Sequence, residues 1–423
     1  MKTNRRNFIS TAVGGLSVSL LPSAACAAET KPTESMLDIK SRYIKLDEVI
    51  KQPVLKKELF PSPVIVETLE LLHYDGNFLC RVRSSDSSEG TSVGHPFQQR
   101  FLNPIFKKLK PFFLGKDVRE LELLIEEVYQ ANYKLQGLAL WIPLATIEFA
   151  ILDMLGHIRN KSIGQLIGEI YNPKVTVYHP NNNRGLSAEE SIERIQKNIK
   201  DSNAKAIKIK LGGRMNLPDS PSGRSEKLIP LVRKTFGDNM ILYADANSSF
   251  TVDEAITIGK LLEENNYGFF EEPVPYDKFD ETRQVAQALS IPISGGEQET
   301  SLNHFRWLIA NDALQIVQPD QFYFGGIIRS MKVARMAEVL GKVCTPHLSG
   351  GGLGYLYMMH FVSAIPNPGP HHEVYRDNTS VPVESQTSSL IPDENGEIKV
   401  PTGPGLGVVI DPEFVAKHQV VKM

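Results

Sequence analysis

Three carboxylates recur at equal intervals in the second half of this 423-residue chain. Asp245 ends "ILYAD", Glu271 follows "YGFF" and Glu297 follows "IPISGG", each 26 residues after the one before. One acidic residue at the end of an apolar run commonly caps the next helix. Three that converge on one place repel one another unless a cation lies between them. A donor set of oxygens alone, without Cys or His, selects Mg²⁺, or Mn²⁺, over zinc. Upstream, "AIKIKL" sets Lys208 and Lys210 two apart, so both share one face of a strand while Ile207, Ile209 and Leu211 take the other. Two buried ammonium groups are costly unless that face meets negative charge and has a use for a proton acceptor. Downstream, Asp320 ends "QIVQPD" and His347 ends "KVCTPH". In such a pair the carboxylate orients the ring and stabilises its imidazolium form. These are the parts for removing a proton α to a carboxylate: a base on each flank, and a cation that polarises the carboxylate and stabilises the enediolate.

The elements that must position these groups are short buried strands alternating with helices. The runs "KVTVYHP", "AIKIKL", "MILYADAN", "YGFFEEP", "IPISGGE", "ALQIVQPD" and "KVCTPH" are separated by helical stretches such as "SAEESIERIQKNI" and "GIIRSMKVARMAEVL", and an eighth strand is suggested at "HHEVYR". Such alternation reads as an α/β barrel of the modified TIM type, (β/α)7β, over residues 171–385. The alternative, an open doubly wound sheet, seldom runs to so many units. In a barrel the site lies at the carboxyl ends of the strands, where every residue named above falls. Before it, "PVIVETLELLHYDGNFLCRVRSS" alternates about Asp75-Gly76, a hairpin signal, and helical periodicity follows in "VRELELLIEEVYQ" and "ATIEFAILDMLGHIRN". An antiparallel sheet followed by helices makes an N-terminal α+β capping domain over 38–170. Residues 29–37 read as a polar linker, and the irregular tail 386–423 is expected to pack back on the cap.

The combination of K-x-K (Lys208/Lys210), D-x-N (Asp245/Asn247), Glu271 in "EEP", Glu297 in "GGE", Asp320 in "QPD" and His347 in "TPH" resembles the enolase superfamily, and within it the mandelate racemase subgroup, from about residue 38 to 380. Lysine or histidine bases acting with Mg²⁺ are a known element of such sites. The resemblance implies that Lys210 and His347 are the acid/base catalysts and that Lys208 assists at the substrate carboxylate. It implies further that Asp245, Glu271 and Glu297 hold the metal, and that Asn247 and Glu373, in "HHEVY", contact the substrate. It also implies a homo-oligomer. "QPD" followed by Gly325-Gly326 resembles acid-sugar dehydratases, so the leading expectation is dehydration of a sugar acid to a 2-keto-3-deoxy acid. A racemase, epimerase or cycloisomerase would use the same residues. An envelope protein that binds sugar acids without turnover would need neither base. A metal-dependent hydrolase on this barrel would want an H-x-H pair in the first strand, where "VTVYHPN" offers only His179.

The rest of the chain narrows the partners. A formal net charge of -3 gives no reason to invoke nucleic acid, and no run past residue 30 reads as a membrane span. Residues 1–28 carry Arg5-Arg6, a mildly apolar stretch and then small residues, the pattern of a twin-arginine export signal and a periplasmic address. Lipidation at Cys26 is disfavoured by Ser23 where an aliphatic residue is preferred. The two further cysteines, Cys80 and Cys344, show no metal-ligand spacing and form no framework. Specificity is expected from cap loops closing over the barrel mouth, at 46–61 and 90–100, the latter carrying His95, surface-loop material by default with a substrate role as the alternative.

Overall fold

The computed structural model describes residues 34–97, 102–200, 202–349, 353–374 and 381–423. The residues read above as an export signal, Cys26 among them, lie outside these. Helix α1, Glu34–Ile50, takes the place of the end of the linker expected at 29–37 and of the antiparallel start expected for the cap from 38. Ile39, Tyr43, Leu46 and Ile50 recur at helical spacing, and Leu46 is fully buried. This helix docks on the barrel's outer face through Arg306 to Asp47 (2.6 Å) and Asn311 to the Tyr43 hydroxyl (3.0 Å).

A sheet of β1 (Val66–Tyr74), β2 (Asn77–Ser84) and β3 (Glu89–Val93) follows. Tyr74 pairs with Asn77 across Asp75 (φ 44°) and Gly76 (φ 75°), the turn that two-residue hairpins prefer. Helices α2 (Leu102–Leu109), α3 (Leu121–Asn132), α4 (Leu138–Arg159) and α5 (Ile163–Ile167) complete this part. Among the described helices, α4 is long and apolar enough to cross a membrane, yet 89% of its most apolar stretch is buried inside the protein. Glu148 and Asp153 interrupt its sequence, which is why it does not read as a span. Gly90 of β3 lies so close to α4 that a Cβ there would come within 2.2 Å of the Ala150 carbonyl oxygen.

The barrel then alternates without interruption. Strand β4 (Lys174–Asn181) leads to α6 (Ala188–Ile199), β5 (Ala206–Lys210) to α7 (Arg224–Phe236), and β6 (Ile241–Asp245) to α8 (Val252–Glu264). Then β7 (Phe270–Glu271) leads to α9 (Phe279–Ala288), β8 (Ile293–Gly295) to α10 (Leu302–Ala310), and β9 (Ile316–Val317) to α11 (Ile327–Val339). Last, β10 (Val343–Cys344) leads through α12 (Gly354–Ser363) to β11 (His372–Glu373). The strands are parallel neighbours in the order β10-β9-β8-β7-β6-β5-β4-β11, a (β/α)7β modified TIM barrel. Capping boxes Ser187/Glu190 and Thr251/Glu254 start α6 and α8, as their sequences dictate.

In the tail, β12 (Val383–Glu384) pairs with β14 (Val409–Ile410), and β13 (Glu397–Lys399) pairs antiparallel with β4. Beyond α13 (Pro412–Ala416), β15 (Gln419–Val420) adds an edge to β1. A buried polar joint ties α4 to the barrel. The Glu148 Oε1 accepts from the Ile328 amide (3.0 Å) at the start of α11. Gly326 (φ 118°) makes room for it, since a Cβ would come within 2.2 Å of Glu148 Oε2. Full burial lifts the Glu148 carboxyl to about 8.

Candidate active site

Strand register builds the site. Lys210 pairs with Asp245 across β5 and β6, and Asp245 with Glu271 across β6 and β7, so the three residues form one row around the carboxyl rim. Gly296 (φ 104°) lies between β8 and Glu297, and its missing Cβ leaves room for the Phe305 ring. One carboxylate oxygen from each of Asp245, Glu271 and Glu297 lies within 4.8 Å of the others, and all three residues are buried.

Both lysines of β5 face this cluster. Lys208 is fully buried and donates to both Glu271 oxygens (2.8 and 3.0 Å) and to Glu373 on β11 (3.5 Å), with Asp245 3.9 Å away. Its Nζ also lies 5.1 Å from the centre of the Tyr178 ring. Lys210 contacts Asp245 Oδ2. On the opposite flank His347 holds Asp320 Oδ2 through Nδ1 (2.8 Å) and places Nε2 3.3 Å from Glu297 Oε2. Asp320 is anchored by the amides of Phe322 and Tyr323 (2.9 Å each) and by the Ser349 hydroxyl (2.8 Å). Asn247 donates its amide to Asp245 Oδ1 (2.7 Å) and its side chain to Glu297 (3.4 Å). The Tyr178 hydroxyl donates to Glu373 (3.3 Å). Every residue singled out in the sequence for chemistry is thus gathered at one rim.

The charges are unevenly matched. Burial disfavours the Lys208 ammonium, but Glu271 and Glu373 outweigh it and hold the group well above its usual range. Burial likewise opposes ionised Asp245, and Lys210 with Lys208 overcomes it, pulling the carboxyl far down. Glu271 moves the other way: burial, then the Asp245 charge, push it to about 8 despite Lys208. Burial resists a charged His347, but Glu297, Asp320 and Glu373 raise it to about 10. More carboxylates than cations share this rim, so a proton is drawn in where positive charge is short. Glu297 Oε2 is buried and, apart from His347 Nε2 at 3.3 Å, meets no hydrogen-bond partner among the described residues, which points to the same shortage. A cluster of hard oxygen donors with an excess of negative charge fits a divalent cation of the Mg²⁺ type.

Sequence reasoning passed over several contributors. Gln318 donates to Glu271 (3.0 Å), Gln298 donates to Glu297 (3.0 Å), and Glu272 is buried with its carboxyl raised by burial and by Glu297. Gln318 stands two residues before Asp320, the same strand-face spacing that singled out the lysines. His95 was expected on an exposed loop but is 3% exposed, because Phe97, Phe322 and Tyr323 close around its ring. In the 90–100 loop, residues 98–100 lie outside the described set.

Known proteins share this architecture. The sequence profile described as enolase C-terminal domain-like matches residues 190–414. An arabinonate dehydratase from Saccharolobus solfataricus is 28% identical over 330 residues, covering 76% of this chain and 84% of its own. The crystal structure of the 3,6-anhydro-D-galactonate cycloisomerase from Zobellia galactanivorans superposes with a TM-score of 0.70 at 26% identity, covering 85% of this chain and 100% of its own. A mandelate racemase/muconate lactonizing protein from Paracoccus denitrificans, crystallised with magnesium, has the same fold at 23% identity, with a TM-score of 0.75 over 85% of this chain and 99% of its own. Relatives of this kind are enzymes of lyase or isomerase type, and so is this one. With the rim of acids, lysines and histidine in its barrel and the profile spanning more than half its length, the chain belongs to the enolase superfamily, in its mandelate racemase/muconate lactonizing enzyme-like branch.

Proposed function

We propose that the protein is a Mg²⁺-dependent acid-sugar dehydratase that removes the proton α to a carboxylate and yields a 2-keto-3-deoxy acid. The observation that carries this reading is the placement of Lys210 and His347. They reach one carboxylate cluster from opposite flanks, at Asp245 and Glu297 respectively. A substrate carboxylate seated at that cluster would have its α-carbon between the two. Asp245, Glu271 and Glu297 would hold the Mg²⁺, whose charge offsets the negative charge that grows on the substrate carboxylate as the α-proton leaves. Lys210 or His347 takes the proton at Nζ or Nε2, and His347 Nε2 then returns one to the departing β-hydroxyl. Asp320 holds Nδ1 so that Nε2 faces the substrate, and Ser349 with two backbone amides keeps Asp320 in place. Lys208 would receive the substrate carboxylate's far side, and Glu373, beside Lys208 and Tyr178, would donate to that carboxylate once Glu373 carries a proton. Asn247 would steady Asp245 and Glu297 at the rim. The similarity to an arabinonate dehydratase supports the choice of chemistry.

The similarity to a 3,6-anhydro-D-galactonate cycloisomerase favours a second reading, in which the same pair opens or closes a ring without loss of water. A screen of acid sugars with Mg²⁺, reading both 2-keto product and solvent deuterium at the α-carbon, separates the two. Deuterium without keto product points to isomerase chemistry, and neither signal on any acid would sink proton abstraction. The twin-arginine pattern at residues 1–28 supports export to the periplasm, testable by fractionating cells that express the full chain and an Arg5→Lys/Arg6→Lys variant.

A further inference from the structure

His95 follows β3 and comes from the cap rather than the barrel, yet its ring lies against the residues that hold His347. Its centroid is 5.3 Å from Phe322 and 5.4 Å from Tyr323, both anchored by their amides to Asp320, and the Tyr323 ring is 6.3 Å from that of His347. The charges of Asp320 and His347 are close enough to act on it. The Phe97 amide donates to His95 Nδ1 (3.1 Å), so Nδ1 carries no proton. Burial disfavours the imidazolium and lowers the group to about 4, so at neutral pH the single proton sits on Nε2. That Nε2–H is buried and finds no acceptor among the described residues. A donor left buried without a partner costs about 1–3 kcal/mol, a cost that is relieved when a ligand supplies the acceptor.

We propose that His95 is a specificity-determining residue whose Nε2–H donates to an uncharged oxygen of the substrate, a hydroxyl or ring oxygen of the acid sugar, on the His347 side of the site. The donor is neutral, and three aromatic rings flank it. A hydroxyl needs only the one hydrogen bond that this donor supplies, whereas a second carboxylate would bring a full charge to a neutral donor among aromatic rings. The inference rests on the acid-sugar reading above and goes beyond it by assigning an atom that reads the carbon chain away from the reacting centre.

The test compares wild type, His95→Phe and His95→Gln with Mg²⁺ on a panel of acid sugars and their single-deoxy analogues. Steady-state kinetics is run beside calorimetric binding. His95→Phe keeps a ring but no donor, and the Gln Nε2 amide restores one near the original position. One neutral hydrogen bond corresponds to about tenfold. The expected result is a KM about tenfold higher in His95→Phe with kcat little changed, recovery in His95→Gln, and one deoxy analogue on which wild type and His95→Phe are equal. Equal KM and affinity for the three proteins on every acid that wild type binds would overturn the assignment and leave the proposed function standing. An equal loss on every analogue, without rescue by Gln, would make His95 a packing residue and also overturn it. A panel of which wild type binds no member would overturn both readings.

Discussion

Replacing Lys208 with methionine tests the charge balance on which the site depends. Methionine keeps much of the length and apolar volume and deletes only the ammonium. That group stands 2.8 and 3.0 Å from the two Glu271 oxygens, 3.5 Å from Glu373 and 3.9 Å from Asp245, all essentially without solvent access. Each attraction at such distances is worth several kcal/mol even at an effective dielectric of about 20, and is largely offset by the cost of burying the lysine. Removing one partner of a buried pair exposes the uncompensated remainder, typically about 3–5 kcal/mol. For a chain of this length the unfolding entropy translates that into a melting temperature lower by roughly 3–6 °C. The assay is thermal and urea unfolding in EDTA and then across a Mg²⁺ titration. The variant rim, one positive charge poorer, should bind the cation more tightly, and each tenfold in affinity returns about 1.4 kcal/mol. The gap to wild type should therefore narrow as Mg²⁺ rises. A variant that unfolds with wild type in EDTA would refute the counter-charge role of Lys208. Mg²⁺ that stabilises neither protein would refute the cation site itself.

Three further outcomes are expected. His347→Asn should block dehydration while Lys210 still exchanges the α-proton of one configuration with D₂O, and Lys210→Ala should leave only exchange by His347; near wild-type rates in Lys210→Ala would remove it as a base. Asp320→Asn should behave like the histidine variant, because the ring loses the anion that holds Nδ1 (2.8 Å), and deuterium exchange from the His347 side should fall with keto product. Glu148 binds a proton up to about pH 8 in the folded protein but releases it near its ordinary value of 4.5 when unfolded. Stability should accordingly be greatest below that lower value and fall as pH rises to the upper one, by roughly 1.4 kcal/mol per pH unit. Glu148→Gln, followed by urea unfolding from pH 4 to 9, should flatten that slope and stabilise the protein by a few kcal/mol at pH 8, and an unchanged slope would show the carboxyl ionised in place.

Much of this protein was legible in local pattern. Strand alternation in "AIKIKL" placed Lys208 and Lys210 on a common face, and the 26-residue spacing of Asp245, Glu271 and Glu297 followed from one strand–helix unit after another. Period-2 and period-3.6 patterns are properties of neighbours in sequence, so eight strands and their barrel could be read without coordinates. Helix α1 was misjudged because its apolar face is narrow and its partner, the barrel's outer layer, lies more than 250 residues away. What only the tertiary structure decided is how charge is shared. Whether Lys208 pairs with Glu271 or with Glu373, and that Glu271 rises to about 8 while Asp245 falls, depends on distances across β5, β6, β7 and β11. His95 is the sharpest case: nothing near it in sequence predicts burial, and its Nε2–H, without an acceptor among the described residues, is enclosed because Phe322 and Tyr323, over 220 residues on, close around it. Spacing along a chain determines which face a side chain takes, whereas burial and electrostatic balance are sums over neighbours that only the folded chain brings together.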